Sequence, residues 1–391
     1  MKMLTLFMIP FVCFSAEFRE VFEKAALSSP LLRAKHEKIL ASHEAIKGEA
    51  VYKNPVLSIG ANDLLLNENF LKRDIEPMQT NFIGITQEFE TFGKLELKEA
   101  ILRVDTLILE YELEDLKLDL YKKTALLVEK IATFSNLLEL LERKKANLEI
   151  LIEYYEKSIS VESGFRKNVE LQKKIFAIED KILELKESVQ RAKNEFKYLT
   201  NQDFISIQRA QIGEEFIEEE IKKAPKYKIF ELRSRQLEIA AKLEERKKYS
   251  NINLSLSYNH RQNFDDYLSV ATSFALPIYG SEDAKAKKTR YLKQESIQNA
   301  QNYLQNATMI FQNNYKKAEY FSKRVENLDA ILEKYKALGS YEKSNIRNSV
   351  TLERSIEDEN LLFDLEIERL KYKLEIKAAE LELFYITKES I

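Results

Sequence analysis

The stretch Ile252-Asn-Leu-Ser-Leu-Ser-Tyr-Asn259, followed after a short polar break by Tyr267-Leu-Ser-Val-Ala-Thr-Ser-Phe-Ala-Leu-Pro-Ile-Tyr-Gly280, decides the fold. Leu254, Leu256 and Tyr258 alternate with Asn253, Ser255, Ser257 and Asn259, and Leu268, Val270, Thr272, Phe274 and Leu276 alternate with Ser269, Ala271, Ser273 and Ala275. Successive side chains of a strand point to opposite faces, so this is a hairpin with one apolar face and one small, polar face. Two readings fit it: a hairpin packed on a soluble core, or two strands of a membrane β-barrel, which needs segments of about ten residues.

A second pair lies upstream. Asn54-Pro55 stops a helical pattern, and then Leu57, Ile59 and Ala61 alternate with Ser58, Gly60 and Asn62 in a strand over 56–66. A strand over 82–90 follows, with Ile83, Ile85 and Phe89 on one side and Gly84, Thr86 and Glu88 on the other.

Between these pairs the chain reads as long helices. The 391 residues include only 8 Gly and 6 Pro, far below average usage of about 7% and 5%, so turns are few and elements long. Charged side chains reach 32% with a net charge of only -3, the mixture that solvated helix faces carry and one without the basic excess of a nucleic-acid binder. Neither Gly nor Pro occurs between Gly93 and Gly164. Leu97, Ile101, Val104, Ile108 and Tyr111 open a three-and-four apolar spacing that continues through Leu138, Leu141, Leu148 and Ile152. Roughly 70 residues of helix rise about 105 Å, too long for a globular core, which predicts a coiled-coil-like rod.

The pattern occurs twice. Residues 17–200 form a first repeat of helix, strand pair and long helical hairpin turning near 163–165, and 201–223 form a connector with the acidic run Glu214–Glu220. Residues 224–391 form the second repeat, with strands over 252–261 and 267–276 and a turn near 339–346. Ser163-Gly-Phe-Arg-Lys-Asn-Val-Glu-Leu171 aligns with Ser344-Asn-Ile-Arg-Asn-Ser-Val-Thr-Leu352, with Ser, Arg, Val and Leu in register.

The start reads as a secretory signal peptide cut after Ala16: Lys2, an apolar run from Leu4 to Phe14, then Ser15 and Ala16. The only cysteine, Cys13, lies in that run, and Val12 before it suits a lipidation signal poorly. No apolar segment is long enough for a transmembrane helix, so entry into a membrane is expected as strands. Four strands cannot close a barrel, and open edges in lipid would leave backbone groups unpaired, so other copies are expected to complete it. The polar face, with Ser58, Gly60, Asn62, Thr86, Ser255, Ser257, Asn259, Ser269 and Ser273, would then line the lumen.

With Asn54-Pro55, Thr86-Gln-Glu-Phe-Glu-Thr-Phe-Gly93 and the two aligned turns in this order, the chain resembles the outer membrane efflux protein family, the TolC type, over nearly all of the mature sequence. The resemblance implies a mainly α fold with a β-barrel contribution, three protomers building a twelve-stranded barrel in the outer membrane of a Gram-negative bacterium and an α-helical barrel in the periplasm. It implies a passive channel of tripartite efflux or type I secretion, engaged by a periplasmic adaptor protein and an inner-membrane pump. It also implies a periplasmic gate, placing Glu170 and Arg347 as a latch, with Thr351 and Arg354 where some relatives carry acidic rings. The turn residues Gly164, Phe165, Asn345 and Ile346 are expected to dock the adaptor. The alternative is a secreted or periplasmic coiled-coil scaffold without a pore. No enzyme, cofactor or metal site is expected: there is no phosphate loop or zinc-helix motif, and His36 and His43 stand seven residues apart, where helical metal pairs stand three or four apart.

Overall fold

The computed structural model describes residues 17–66, 72–158, 163–205, 207, 216–343 and 349–391, with backbone alone at 158, 163–164, 336–343 and 349–352. The order is α1 (Phe18–Ser28), α2 (Pro30–Glu49), β1 (Val56–Asn62), β2 (Thr80–Phe89), α3 (Lys94–Ser158), α4 (Ser163–Thr200), a short 3-10 turn (Glu218–Lys222), α5 (Pro225–Arg246), β3 (Ile252–His260), β4 (Tyr267–Ser273), α6 (Ser281–Lys343) and α7 (Ser349–Thr387). Prolines open α2 and α5 at the first helical position, where a missing N–H costs nothing. Ser29, ahead of Pro30, is driven into extended backbone, which separates α1 from α2. The two long helices α3 and α6 each follow a glycine in the left-handed region, Gly93 at φ 69° and Gly280 at φ 68°. A side chain there would strain the backbone.

The strands differ from expectation at their ends. β1 stops at Asn62, because Asp63 turns to φ 52°. β2 begins two residues earlier, at Thr80. β4 stops at Ser273, four residues before Pro277, and the expected strand residues Phe274 and Leu276 lie beyond its end. Nor does Gly339 end α6, which continues to Lys343.

Two compact units divide the chain, each drawing on both halves of the sequence. The first takes residues up to Ala34 with Leu113–Pro225 and Leu304–Ile391. Its core packs Phe18, Val21 and Phe22 of α1 on Leu120, Leu127 and Val128 of α3, Phe196 of α4 and Leu381 of α7. The Tyr121 ring takes Phe18 and Phe22 edge-on at 5.1 and 5.2 Å and stacks on Phe384 at 5.0 Å. A second cluster joins Leu141, Leu148 and Leu151 with Leu171, Ile178 and Ile182 and with Ile356. The seven-residue steps 141–148 and 171–178 make this a coiled-coil seam.

The second unit comprises Lys35–Glu112 and Lys226–Tyr303. Val104 and Ile108 of α3 pack on Ile229 of α5. Beside them Glu112 takes Lys35 and, at 3.1 Å, Arg233. Burial opposes a charge on Glu112, but the two cations more than offset it and hold the carboxyl below its ordinary range. This unit carries the four-stranded sheet, in the order β1-β2-β3-β4, every pair antiparallel, with β1 and β4 as its edges.

Candidate functional site

The register sorts the sheet into two chemically distinct faces. Cross-strand rows run Leu57, Ile85, Leu256, Val270 and Ile59, Ile83, Tyr258, Leu268 on one face. On the other run Ser58, Gly84, Ser257, Ser269, and Gly60, Phe82, Asn259, Tyr267. Directly paired residues share a face, so all nine positions expected to line a lumen, Ser58, Gly60, Asn62, Thr86, Ser255, Ser257, Asn259, Ser269 and Ser273, fall together. Side-chain hydrogen bonds knit this face. Thr86 Oγ1 and Ser255 Oγ are 2.8 Å apart, Asn259 Nδ2 donates to Ser269 Oγ at 3.0 Å, and Asn62 Nδ2 donates to Thr80 Oγ1 at 3.0 Å.

Exposure runs opposite to that of a soluble hairpin. Ile59 is 76% exposed, Val270 69% and Leu57 63%, whereas Asn259 on the polar face is 3% exposed. Among the described residues nothing covers the apolar rows.

The polar face also holds three apolar side chains that composition did not flag: Val56, Phe82 and Tyr267. Counting back by two from Gly84 would have assigned Phe82. Its ring covers Gly60, where an added Cβ would stand 2.8 Å from the ring atoms Cε1 and Cζ. Gly60 therefore serves close approach as well as smallness.

Where the strands leave the sheet, a polar knot ties them to the helices. Lys94, 5% exposed, donates from Nζ to Asn251 Oδ1 at 2.7 Å and to the Tyr249 carbonyl. Thr91 Oγ1 donates to the Ser250 carbonyl at 2.8 Å, and Glu90 pairs with Lys98. Burial pushes the Lys94 ammonium below its ordinary value.

Of the residues expected at a helical gate, Glu170 lies exposed on α4 and pairs with Lys174 of the same helix at 3.0 Å. Arg354 is exposed on α7; Thr351 lies in α7, with its side chain outside the described residues. Arg347, Asn345 and Ile346 lie outside the described residues altogether. Gly164 is in the first turn of α4, and Phe165 beside it is 71% exposed.

The described residues bring together a different cluster at this end, one that sequence reasoning missed. Lys167 of α4 donates to Tyr155 Oη of α3 at 3.0 Å and to Glu353 Oε1 of α7 at 3.1 Å, with its ammonium 4.9 Å from the centre of the Tyr155 ring. The hydrogen bonds to Tyr155 and Glu353 raise the Lys167 pKa, and those from Tyr155 and Lys167 lower that of Glu353. One ammonium thus ties three helices. Only the position of Glu353 next to the aligned turn hinted at it.

No family model matches the sequence, and no curated protein matches it significantly. Solved structures do. The MtrE outer membrane channel of Neisseria gonorrhoeae in its open state is similar over 96% of this chain and 90% of that chain, at 14% identity and TM-score 0.76. The outer membrane protein VceC of Vibrio cholerae is similar over 95% and 96%, at 12% identity and TM-score 0.73. The CmeC outer membrane channel of Campylobacter jejuni is similar over 96% and 87%, at 12% identity and TM-score 0.72. The chain has the fold of these outer membrane proteins over nearly its whole length.

Proposed function

We propose that the chain is one subunit of an outer membrane channel in a Gram-negative bacterium, a passive exit conduit of a tripartite efflux or type I secretion system. The observation that carries this reading is the inverted sheet: its apolar rows are exposed, while on the two central strands the polar-face side chains are half-buried and Asn259 is buried. In water such a face would be a large aggregation-prone patch; in lipid it is the outer wall of a barrel. A pore-free scaffold with hairpins packed on its own helices would have buried those rows.

Two free edges mean that other copies must pair with β1 and β4, since unpaired backbone groups in hydrocarbon cost several kcal/mol each. Three copies supply twelve strands, within the range of known barrels. Ser58, Ser255, Ser257, Asn259 and Ser269 then face a water-filled lumen that offers hydrogen bonds and little charge, suited to a conduit that does not select its cargo. The periplasmic adaptor and inner-membrane pump belong to the same reading, with Phe165 at the helix tips as a docking side chain together with Gly164, Asn345 and Ile346.

The tie of Lys167 to Tyr155 and Glu353 holds helix tips together and joins Glu170, Arg347, Thr351 and Arg354 in a proposed periplasmic gate. Single-channel conductance of the purified mature protein in a planar bilayer tests both parts. Small or flickering wild-type currents that grow in Lys167→Ala plus Glu353→Ala are expected. Unchanged currents would remove the tie from the gate, and a protein that stays soluble and inserts no pores would remove the channel.

A further inference from the structure

Measured along β2, the sheet's apolar face is short for a membrane. From Asn81 to Phe89 the strand advances about 27 Å, which at a tilt of ~40° spans about 21 Å of bilayer, against an apolar band about 25 Å tall. Beyond the strand ends on the helical side, exposed apolar side chains continue. Phe92 and Tyr249 pack ring to ring at 4.6 Å and are 53% and 52% exposed; Phe274, Leu276, Ile278 and Tyr279 are more exposed still. Aromatic residues at such a level mark the boundary between acyl chains and headgroups.

Next to the Tyr249 ring lies a groove of about 500 Å³ between the end of α5 and the start of α6. It is lined by four cations, Arg246, Lys248, Lys287 and Arg290, and by two carboxylates. Lys248 pairs with Asp283, and Arg290 with Glu245. Both carboxylates are thereby used. Among the described residues Arg246 donates to the Phe92 carbonyl at 3.4 Å and neither Arg246 nor Lys287 forms an ion pair, although Lys287 lies within electrostatic reach of Asp283, which Lys248 already holds. The two surplus cations therefore sit beside an exposed aromatic pair, at the level where the apolar face ends. Long basic side chains at that level extend their charge toward lipid phosphate while their stems lie on apolar surface.

On the reading of the sheet as a barrel wall, we infer that this collar is a lipid-binding surface and that Arg246 and Lys287 receive the phosphate of an anionic phospholipid in the leaflet on the helical side. Phe92, Tyr249 and Tyr279 enter the headgroup boundary around it. Continuity with the apolar rows, the shortfall in strand height and the unneutralised charge all favour a phospholipid as the occupant.

The chain contains no tryptophan, so a single introduced one is a clean reporter. Full-length mature Tyr279→Trp and Leu256→Trp proteins are placed in phosphatidylcholine vesicles with bromines at defined acyl depths. Quenching of Tyr279→Trp by shallow bromines and of Leu256→Trp by deep ones is expected. Brominated phosphatidylglycerol diluted in phosphatidylcholine should quench Tyr279→Trp beyond its bulk share, by up to about fivefold for each cation. Arg246→Gln plus Lys287→Gln should abolish that preference, and Arg246→Lys plus Lys287→Arg should keep it. If Leu256→Trp is quenched and Tyr279→Trp is not, the collar is wrong and the barrel stands. If neither is quenched, the barrel reading fails with it. No preference for the anionic lipid, or a preference that survives the glutamine pair, overturns the phosphate site.

Discussion

Lys94 shows how one side chain can hold the junction of strand and helix. Its ammonium is almost fully enclosed, and its partners, the Tyr249 carbonyl and Asn251, lie more than 150 residues away in sequence. Lys94→Ala leaves those acceptors without a donor and is expected to cost about 2–3 kcal/mol, measurable as a lower unfolding midpoint in detergent. The Lys167 tie responds to pH. Because Glu353 has a lowered pKa, its contribution is complete above the ordinary carboxylate value and is lost as pH falls through the lowered one. Because Lys167 has a raised pKa, its contribution is complete below the ordinary ammonium value and is lost only as pH rises through the raised one. The stability difference between wild type and Glu353→Gln should therefore be flat from about pH 5 to about pH 10 and shrink as pH falls below the ordinary carboxylate range. Neither cluster was legible in the sequence, since a lysine in a chain that is 32% charged carries no mark of its burial or of its distant partner. Gln79 is similar: 1% exposed, it accepts from the amides of Ile75 and Glu76 and donates to the carbonyls of Asp63 and Lys72, shaping a segment that reads only as a polar loop.

At the scale of elements the strands were the most legible part. Their two faces meet different surroundings, and a period of two records that difference directly. Their ends were less so, because Asp63 terminates β1 through a left-handed backbone that many polar residues share. Helix α4 is expected as the returning limb of the first long helical hairpin, but its solvent side is not legible in the sequence. Val169, Phe176 and Leu183, seven residues apart, are 50%, 71% and 66% exposed on the helix whose other side forms the seam with α3. In the proposed ring of copies this open heptad stripe is the face a neighbouring helix would cover. Phe176→Glu plus Leu183→Glu should weaken association between copies and leave the helical content of each chain unchanged, as read by light scattering and circular dichroism in detergent.

For the molecule as a whole, the residues the proposed role draws on are spread along the sheet face and the long helices. That distribution explains why the two faces of the sheet were legible in the pattern and the Lys167 cluster was not. A wall is a repeated property of many residues, whereas a latch is a particular pair.

If copies close the barrel as proposed, the two free edges β1 and β4 require every subunit to offer one edge and accept another, in a head-to-tail contact. Such a ring tolerates no idle member. A copy with one edge blocked still binds through the other and terminates the arc it joins. Co-expressed with wild type in equal amounts, it would leave only about one ring of three in eight free of it by random mixing of a heterologous ring. The measurement is the yield of intact wild-type trimers on a gel, expected to fall well below half. In genetic terms, a lesion at either edge of this sheet should behave as a dominant one, while a lesion that unfolds the chain should be recessive.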